Sequence, residues 1–356
     1  MWKKTKLKVN EKVLMPLVGV VIAAISLTLM MCGNPGNMGF CIACFLRDIA
    51  GSLGLQQSPN QYLRPEIIGI ILGAFLTTLA TKKWKPQGAS APVTRFLLGM
   101  CVMIGALIFL GCPLRMIIRI GGGDLNAVIG FLGFASGIAL GAFFLKKGFT
   151  LKRTYHVSKT DGLVLPLFSL ILLLIIVIAP NILKHGGAVL SASVLISLVA
   201  GLIVGLVGVV SKLCFSGSIR NVILFKDFTM FSALLTMIVL LVIGNIIRGK
   251  FNLSFEGQPI AHTDYMWNFL GLLLVGFGSI LLSGCPFRQV IKAGSGDIDS
   301  TITVFGMLFG AAVAHNFSMA SSPTGVTVNG TIGFISAFIL VSVIAVYNTF
   351  YDKHEV

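Results

Sequence analysis

Two stretches of the chain decide its fold: GCPLRMIIRIGGGD, from Gly111 to Asp124, and GCPFRQVIKAGSGD, from Gly284 to Asp297. Eight of the fourteen positions are identical, and the second copy follows the first at an offset of 173 residues. The same offset aligns Cys41 with Cys214. The chain therefore contains a repeated unit, and Gly-Cys-Pro-x-Arg is its most distinctive part.

The sequence around these stretches is strongly apolar. Of its 356 residues, 56% are hydrophobic and only 11% are charged, whereas about 25% of the residues in a soluble domain are charged. Runs of about 20 apolar residues are long enough to cross a bilayer as helices. Since only helices and closed barrels satisfy the backbone in lipid, we predict an all-α polytopic membrane protein.

We predict ten spans with four short helices between them, which are either re-entrant or parts of broken spans. The spans are expected at 13–31, 65–81, 95–110, 126–145, 162–180, 189–209, 229–247, 266–282, 300–316 and 330–351, and the short helices at 38–51, 113–120, 213–225 and 286–293. An eight-residue helix covers only about 12 Å, too little to cross alone.

Basic residues orient the spans. With the short helices left aside, this topology puts 17 Lys and Arg on one side of the membrane and four on the other. Because cytoplasmic loops carry the excess of Lys and Arg, both termini are expected in the cytoplasm. The formal charge of +15 is thereby explained by membrane topology, and we expect no binding of nucleic acid.

The offset divides the chain into two units of opposite orientation. A single span separates the units, so the second begins on the other side of the membrane, as in the inverted repeats of many transporters. The predicted organisation is a tail at 1–12, a first repeat at 13–145, an inner loop and linking span at 146–185, a second repeat at 186–316, and a last span with a cytoplasmic tail at 317–356. Two funnels that meet at a narrow centre are the expected shape.

Each copy of the motif reads as the start of a helix. Pro113 and Pro286 suit the first helical position, which makes Cys112 and Cys285 the cap residues. The free N–H groups and partial positive charge of a helix start favour an anion. The glycines of the motif allow a sharp turn of the backbone, and the aspartates cap the following span. The residues with a structural role are Gly111, Pro113, Gly121, Gly123 and Asp124 in the first copy and Gly284, Pro286, Gly294, Gly296 and Asp297 in the second.

Six cations fall at or near membrane depth, where an unpaired charge costs on the order of 3 kcal/mol or more. One reading is that Arg115, Arg288, Arg47 and Arg220 stabilise an anion that passes through. The alternative is that Arg119 and Lys292 reach the headgroups while Arg115 pairs with Asp124. Both readings stand at this level.

The thiols indicate the chemistry of the ligand. Cys112, Cys285, Cys214, Cys41 and Cys44 are the predicted substrate pathway, since polarizable sulfur or selenium atoms accept the weak hydrogen bonds of thiols better than a hard, strongly hydrated ion does. Cys41-x-x-Cys44 has no histidine or further pair nearby, so no metal site and no cofactor are predicted.

These motifs resemble those of the YeeE/YedE family of sulfur-transport membrane proteins, and most of all the YedE branch, whose members are described as selenium transporters. The doubled Gly-Cys-Pro-x-Arg carries the resemblance, together with the Asn34–Asn37 segment and Cys41-Ile-Ala-Cys44. The family implies an hourglass-shaped protein of the cell inner membrane that imports thiosulfate or a related species by relay between central cysteines. It also implies a small cytosolic partner of the TusA-like sulfur-carrier type.

The predicted function is therefore import of a reduced sulfur or selenium species, a thiosulfate-like anion or a selenium compound, and not an enzymatic reaction. The alternative is a membrane thiol-based sulfur or selenium transferase that uses Cys41 and Cys44. Two features depart from the symmetric motif: Ser295 stands where the first copy has Gly122, and Cys44 has no counterpart in the second half.

Overall fold

Every apolar span expected from the sequence coincides with a helix. A computed structural model describes residues 10–187 and 189–351, so the expectations for the first nine and last five residues lie outside the described part. The helices there are α1 (Glu11–Met31), α2 (Ile42–Ser52), α3 (Pro65–Ala80), α4 (Pro92–Ile108), α5 (Pro113–Gly121), α6 (Leu125–Lys146), α7 (Val164–Ile178), α8 (Val194–Ser211), α9 (Phe215–Phe225), α10 (Phe231–Ile247), α11 (Tyr265–Leu281), α12 (Pro286–Gly294), α13 (Ile298–Asn316) and α14 (Val328–Val346). Two short strands, β1 (Gln87–Gly88) and β2 (Tyr155–His156), pair antiparallel.

The chain is a multi-pass helical membrane protein. Eight of its helical segments are long and apolar enough to cross a membrane by length and composition. Three of these segments join a long helix to the short helix that follows it: Pro92–Gly121, Val194–Phe225 and Tyr265–Gly294. α3 and α10 are apolar but shorter. Ten crossings thus stay a prediction.

The break inside the two Gly-Cys-Pro segments has the same backbone form. α4 ends before Leu110, which has a φ of +60°, and α11 ends before Ser283, which has a φ of +57°. A left-handed conformation costs a residue with a side chain about 1–2 kcal/mol. The chain nevertheless turns there in both halves, and a proline then starts the short helix.

The exit from each short helix is a second sharp turn. Gly123 and Gly296 both have a φ of +90°, a conformation that glycine adopts at little cost. Asp124 then caps α6 by accepting a hydrogen bond from the backbone N–H of Asn126. Asp297 caps α13 in the same way through Ser300.

Four long-range helix pairs build the core. α3 packs on α8, α1 on α10, α6 on α11, and α4 on α13. Glycines lie at these contacts: a Cβ added at Gly133 would collide with the carbonyl oxygen of Phe269, and one at Gly306 with that of Phe96. Small residues let helix backbones approach closely in lipid, where no hydrophobic force drives the helices together.

Candidate functional site

The two cysteines of the repeated motif begin the short helices α5 and α12. Cys112 and Cys285 occupy the N-cap positions, each followed by proline at the first helical position. Both side chains are completely buried. Neither accepts a capping hydrogen bond from its own helix, so their sulfur atoms face other parts of the protein.

Cys41 and Cys214 are N-caps as well, which sequence reasoning missed by starting these short helices at 38 and 213. The structure begins α2 at Ile42 and α9 at Phe215. Each cap sulfur accepts a hydrogen bond from a backbone N–H of the first turn at 3.3 Å, from Cys44 in α2 and from Gly217 in α9. In both helices the capping cysteine stands three residues before a small residue whose backbone N–H it accepts from, Cys44 in α2 and Gly217 in α9. This shared spacing is visible in the sequence and could have indicated the caps.

The thiols meet within each half of the chain. In the first half, Cys112 Sγ accepts from the backbone N–H of Ile42 at 3.3 Å, so it lies against the start of α2 beside the cap residue Cys41. In the second half, Cys214 Sγ lies 3.9 Å from Cys285 Sγ. Four predicted pathway residues thus form two groups, a first group at α2 and α5 and a second group at α9 and α12.

Arg115 is the cation of the first group. It is completely buried and donates to the backbone carbonyls of Asn37 at 3.1 Å, Ile260 at 3.0 Å and Leu110. It also lies 3.4 Å from Cys44 Sγ, the thiol without a counterpart. Carbonyl dipoles are its only hydrogen-bonding oxygens in the described chain, so its full positive charge has no carboxylate to balance it.

Asp124 pairs with Arg119, so the alternative in which it pairs with Arg115 is wrong. Arg119 Nε lies 2.6 Å from Asp124 Oδ2, and both side chains are completely buried. Its guanidinium carbon also lies 4.2 Å from the ring centre of Phe109. In the equivalent pair of the second half, Lys292 Nζ lies 3.1 Å from Asp297 Oδ2. Both cations are therefore paired with acids, Arg119 in a completely buried pair and Lys292 with a side chain that is 25% exposed.

The outer arginines are also paired. Asp48 Oδ1 lies 2.6 Å from Arg47 Nη2, and Asp48 Oδ2 lies 2.7 Å from Arg64 Nε. Arg64 is completely buried, although the predicted topology counted it as a residue of an outer loop. Arg220 donates to Asn221 Oδ1 at 3.0 Å. The sequence analysis did not include Arg64 among the site residues. Its position directly before Pro65 and Glu66, which begin α3, could have indicated that it lies at a helix start.

Two cavities lined with cations lie beside the thiol groups. The first cavity has a volume of about 320 Å³ and is lined by residues that include Arg47, Arg64, Leu110, Ile260 and His315. The carbonyls of Leu110 and Ile260 are those that hold Arg115. The first cavity therefore borders the first thiol group.

The second cavity has a volume of about 350 Å³. Its charged lining consists of Lys83, Lys85, Lys212, Arg288, Lys292 and Asp297. Arg288 and Lys292 belong to α12, which Cys285 caps, so this cavity borders the second thiol group. Its three lysines outside α12 were absent from the candidate site.

The thiols lie beside the two cavities and do not line them. No cysteine lines either cavity in the described part of the chain. That part also contains no group of three His, Cys, Asp or Glu side chains placed to hold a metal ion. The arrangement therefore consists of cationic cavities next to buried thiols at helix starts, which suits an anion with soft atoms.

Residues 210–352 match the family model described as sulphur transport. The matched region contains Cys214, Cys285 and Arg288, and so the second thiol group and part of the second cavity. The match covers less than half of the chain and supports a sulfur-related membrane transport role for it. No curated protein matches the chain.

Proposed function

We propose that this protein imports a small reduced sulfur or selenium anion, such as thiosulfate, through the cell inner membrane. One observation carries the proposal: each cationic cavity is lined by an arginine of a short helix that begins with a buried cysteine, Arg47 of α2 in the first cavity and Arg288 of α12 in the second. Cations gather an anion from solution, and the helix start offers it N–H groups and a partial positive charge. The thiols then offer weak hydrogen bonds to its polarizable atoms.

Helix packing supports the proposed inverted repeats. Under the 173-residue offset, α1 and α3 correspond to α8 and α10, while α4, α5 and α6 correspond to α11, α12 and α13. Exchanging the counterparts turns the contact of α1 with α10 into that of α8 with α3, and the contact of α6 with α11 into that of α13 with α4. All four contacts are present. If the two halves are inverted repeats, one thiol group lies on the pathway from each side of the membrane.

The cavities support the proposed direction of the funnels. Residues of the second cavity include Lys83 and Lys85, which the distribution of basic residues assigns to a cytoplasmic loop. The first cavity includes Asn60 and Ser322, which the same topology assigns to the outside. An anion would enter at the first cavity, pass the cysteines and leave through the second.

Uptake of an anion works against the negative interior of the cell. Each charge moved costs about 2.3 kcal/mol per 100 mV. A cytosolic acceptor of the TusA-like type, docked at the second cavity, would lower the internal concentration of free anion and favour net import.

The test is uptake by purified protein in proteoliposomes, with thiosulfate, selenite, selenide and sulfate compared on one preparation. We expect thiosulfate or a selenium species to enter much faster than sulfate. Cys112→Ala and Cys285→Ala should each abolish uptake, because each removes one thiol of the relay. Cys101→Ala is the matched control, since Cys101 is buried outside the motif. Normal uptake by both motif variants would overturn the relay.

A transferase function is the second candidate, and the contact of Arg115 with Cys44 Sγ at 3.4 Å favours it. A neighbouring cation stabilises a thiolate, the reactive form of cysteine, whereas the complete burial of Cys44 opposes that effect. Mass spectrometry of protein incubated with a sulfur or selenium donor would show a persulfide or selenosulfide on Cys44 if this function is correct. Full activity of a Cys44→Ser variant would exclude it.

A further inference from the structure

Glu66 is a buried acid that the proposed pathway does not use. It lies in the first turn of α3 and is completely buried. Its Oε1 accepts hydrogen bonds from Asn34 Nδ2 at 3.0 Å and from Ser197 Oγ at 3.1 Å, whereas Oε2 has no hydrogen-bond partner. Both donors are neutral, and in the described part of the chain no cation lies within ion-pair distance of the Glu66 carboxylate.

Within the described residues, no charged group of the neighbouring elements forms an ion pair with Glu66. α8, α7 and the segment 33–41 carry no charged residue. On α2 and at the start of α3, Arg47 and Arg64 share the single carboxylate of Asp48, and Arg64 Nη2 has no hydrogen-bond partner. α12 contributes Arg288 and Lys292 to the other end of α3, where Gly294 contacts Ile71.

An ionised carboxylate whose only hydrogen-bond donors are neutral is costly to bury. The start of α3 offsets part of that cost, because a helix N-terminus favours negative charge, but the effect of a helix terminus is small beside the desolvation of a full charge. A proton on Oε2 removes the charge. Ionisable groups buried in membrane proteins are characteristic of proton and ion pathways.

The position of Glu66 connects it to both cavities. The N-cap residue of α3, Arg64, lines the first cavity, and Thr78 near its C-terminal end lines the second. α3 and its partner α8 thus run from one cavity to the other, and Glu66 is the only acidic residue in these two helices. It lies behind the wall of the first cavity, which includes Pro35.

Glu66 is also connected to the cation of the first thiol group. Asn34, which donates to Glu66, begins the segment Asn34-Pro35-Gly36-Asn37. The carbonyl of Asn37 at the end of this segment accepts from Arg115 Nε. Loss or gain of charge on Glu66 therefore acts on a segment of four residues whose other end holds the cation beside the thiols.

We infer that Glu66 is the proton-binding site of this transporter and that the anion enters together with a proton. This inference rests on the proposed function. In the proposed cycle the carboxylate takes up a proton while it faces the first cavity, and the acid is then enclosed. It then releases the proton when α3 and α8 open towards the second cavity. One proton that accompanies thiosulfate halves the net charge moved.

The first measurement is a count of protons in wild-type proteoliposomes with the membrane potential clamped by potassium and valinomycin. A pH dye inside the vesicles should report acidification on addition of external thiosulfate, with one proton for each thiosulfate taken up. An inward proton gradient should raise the uptake rate several-fold. Thiosulfate uptake without acidification overturns the inference and leaves the proposed function intact, whereas no uptake at all overturns both.

The second measurement uses Glu66→Gln, which keeps the acceptor for Asn34 and Ser197 but binds no proton. We expect uptake down a thiosulfate gradient to persist, with no acidification and no response to a proton gradient. Glu256→Gln, in an exposed loop, is the matched control and should behave as wild type. If Glu66→Gln still moves protons with thiosulfate, or lowers uptake equally at every pH, Glu66 has a structural role only and the inference is wrong.

Discussion

Asp124 and Asp297 occupy equivalent positions, yet their ion pairs differ in burial. Asp124 and Arg119 are both completely buried, whereas the Lys292 side chain is 25% exposed beside Asp297. Both aspartates also cap a helix through a backbone N–H. Since the capping role is shared, the two sites compare a completely buried Arg–Asp pair with a partly exposed Lys–Asp pair.

We expect Asp124→Asn to destabilise the protein by about 3 kcal/mol or more, because it leaves the charge of Arg119 buried without an acid. Asp297→Asn should cost about 1 kcal/mol or less, because water reaches Lys292. Asparagine caps helices about as well as aspartate does, so loss of the cap contributes little at either site. Thermal unfolding in detergent, followed by circular dichroism, measures the difference. Equal shifts for the two variants would show that burial of the pair is unimportant.

At the scale of the element, α6 and α11 are held at a distance that only glycine permits. A Cβ at Gly133 would collide with the carbonyl oxygen of Phe269, and one at Gly137 with that of Leu273. Each contact is between a helix and the backbone of its partner, so no side chain can move aside. The close approach fixes α11, and through the turn at Ser283 it fixes the start of α12.

Gly133→Ala and Gly137→Ala should therefore destabilise the protein by about 1–3 kcal/mol, the usual cost of overpacking. This sign is the opposite of the intrinsic effect, since alanine favours a helix over glycine by about 0.5–1 kcal/mol. Thermal unfolding in detergent is the measurement. Ser136→Ala, on an exposed position of the same helix, should be close to neutral. A stabilising effect of the glycine variants would contradict the packing described.

At the scale of the whole molecule, the cations of the second cavity come from parts of the chain that are distant in sequence. Lys83 and Lys85 precede α4, Lys212 follows α8, and two cations belong to α12. Only the tertiary structure brings these charges to one cavity. Their summed field raises the local concentration of an anion, and salt weakens the effect.

Lys83→Gln and Lys85→Gln should each lower the rate of thiosulfate transport in proteoliposomes about two- to ten-fold at low ionic strength. The deficit should shrink as salt is added, since screening also weakens the field in the wild type. Lys146→Gln changes an exposed lysine at the end of α6 and should leave the rate unchanged. A deficit that does not respond to salt would indicate a role other than attraction of the anion.

The sequence by itself determined the helices and the caps at the Gly-Cys-Pro motif. Pro113 and Pro286 fix the first turn of a helix locally, so Cys112 and Cys285 could be placed at N-caps before any packing was known. The same local chemistry predicted the turns at Gly123 and Gly296. Apolar length predicted the ten long helices, because in lipid the backbone must satisfy itself within each segment.

The tertiary structure alone decided which groups meet. Arg119 takes Asp124, and Arg115 donates to carbonyls from three segments, because helix packing sets the side-chain neighbours of both residues. The burial of Glu66 against Ser197 depends on the contact of α3 with α8, which lies between two units of the chain. The contacts of Arg115 with Asn37 and Ile260 and of Glu66 with Ser197 join residues far apart in sequence, and no local pattern encodes them. Arg119 and Asp124 are only five residues apart, but the motif also offered Arg115 as a partner, and the packing of the short helix decides between the two.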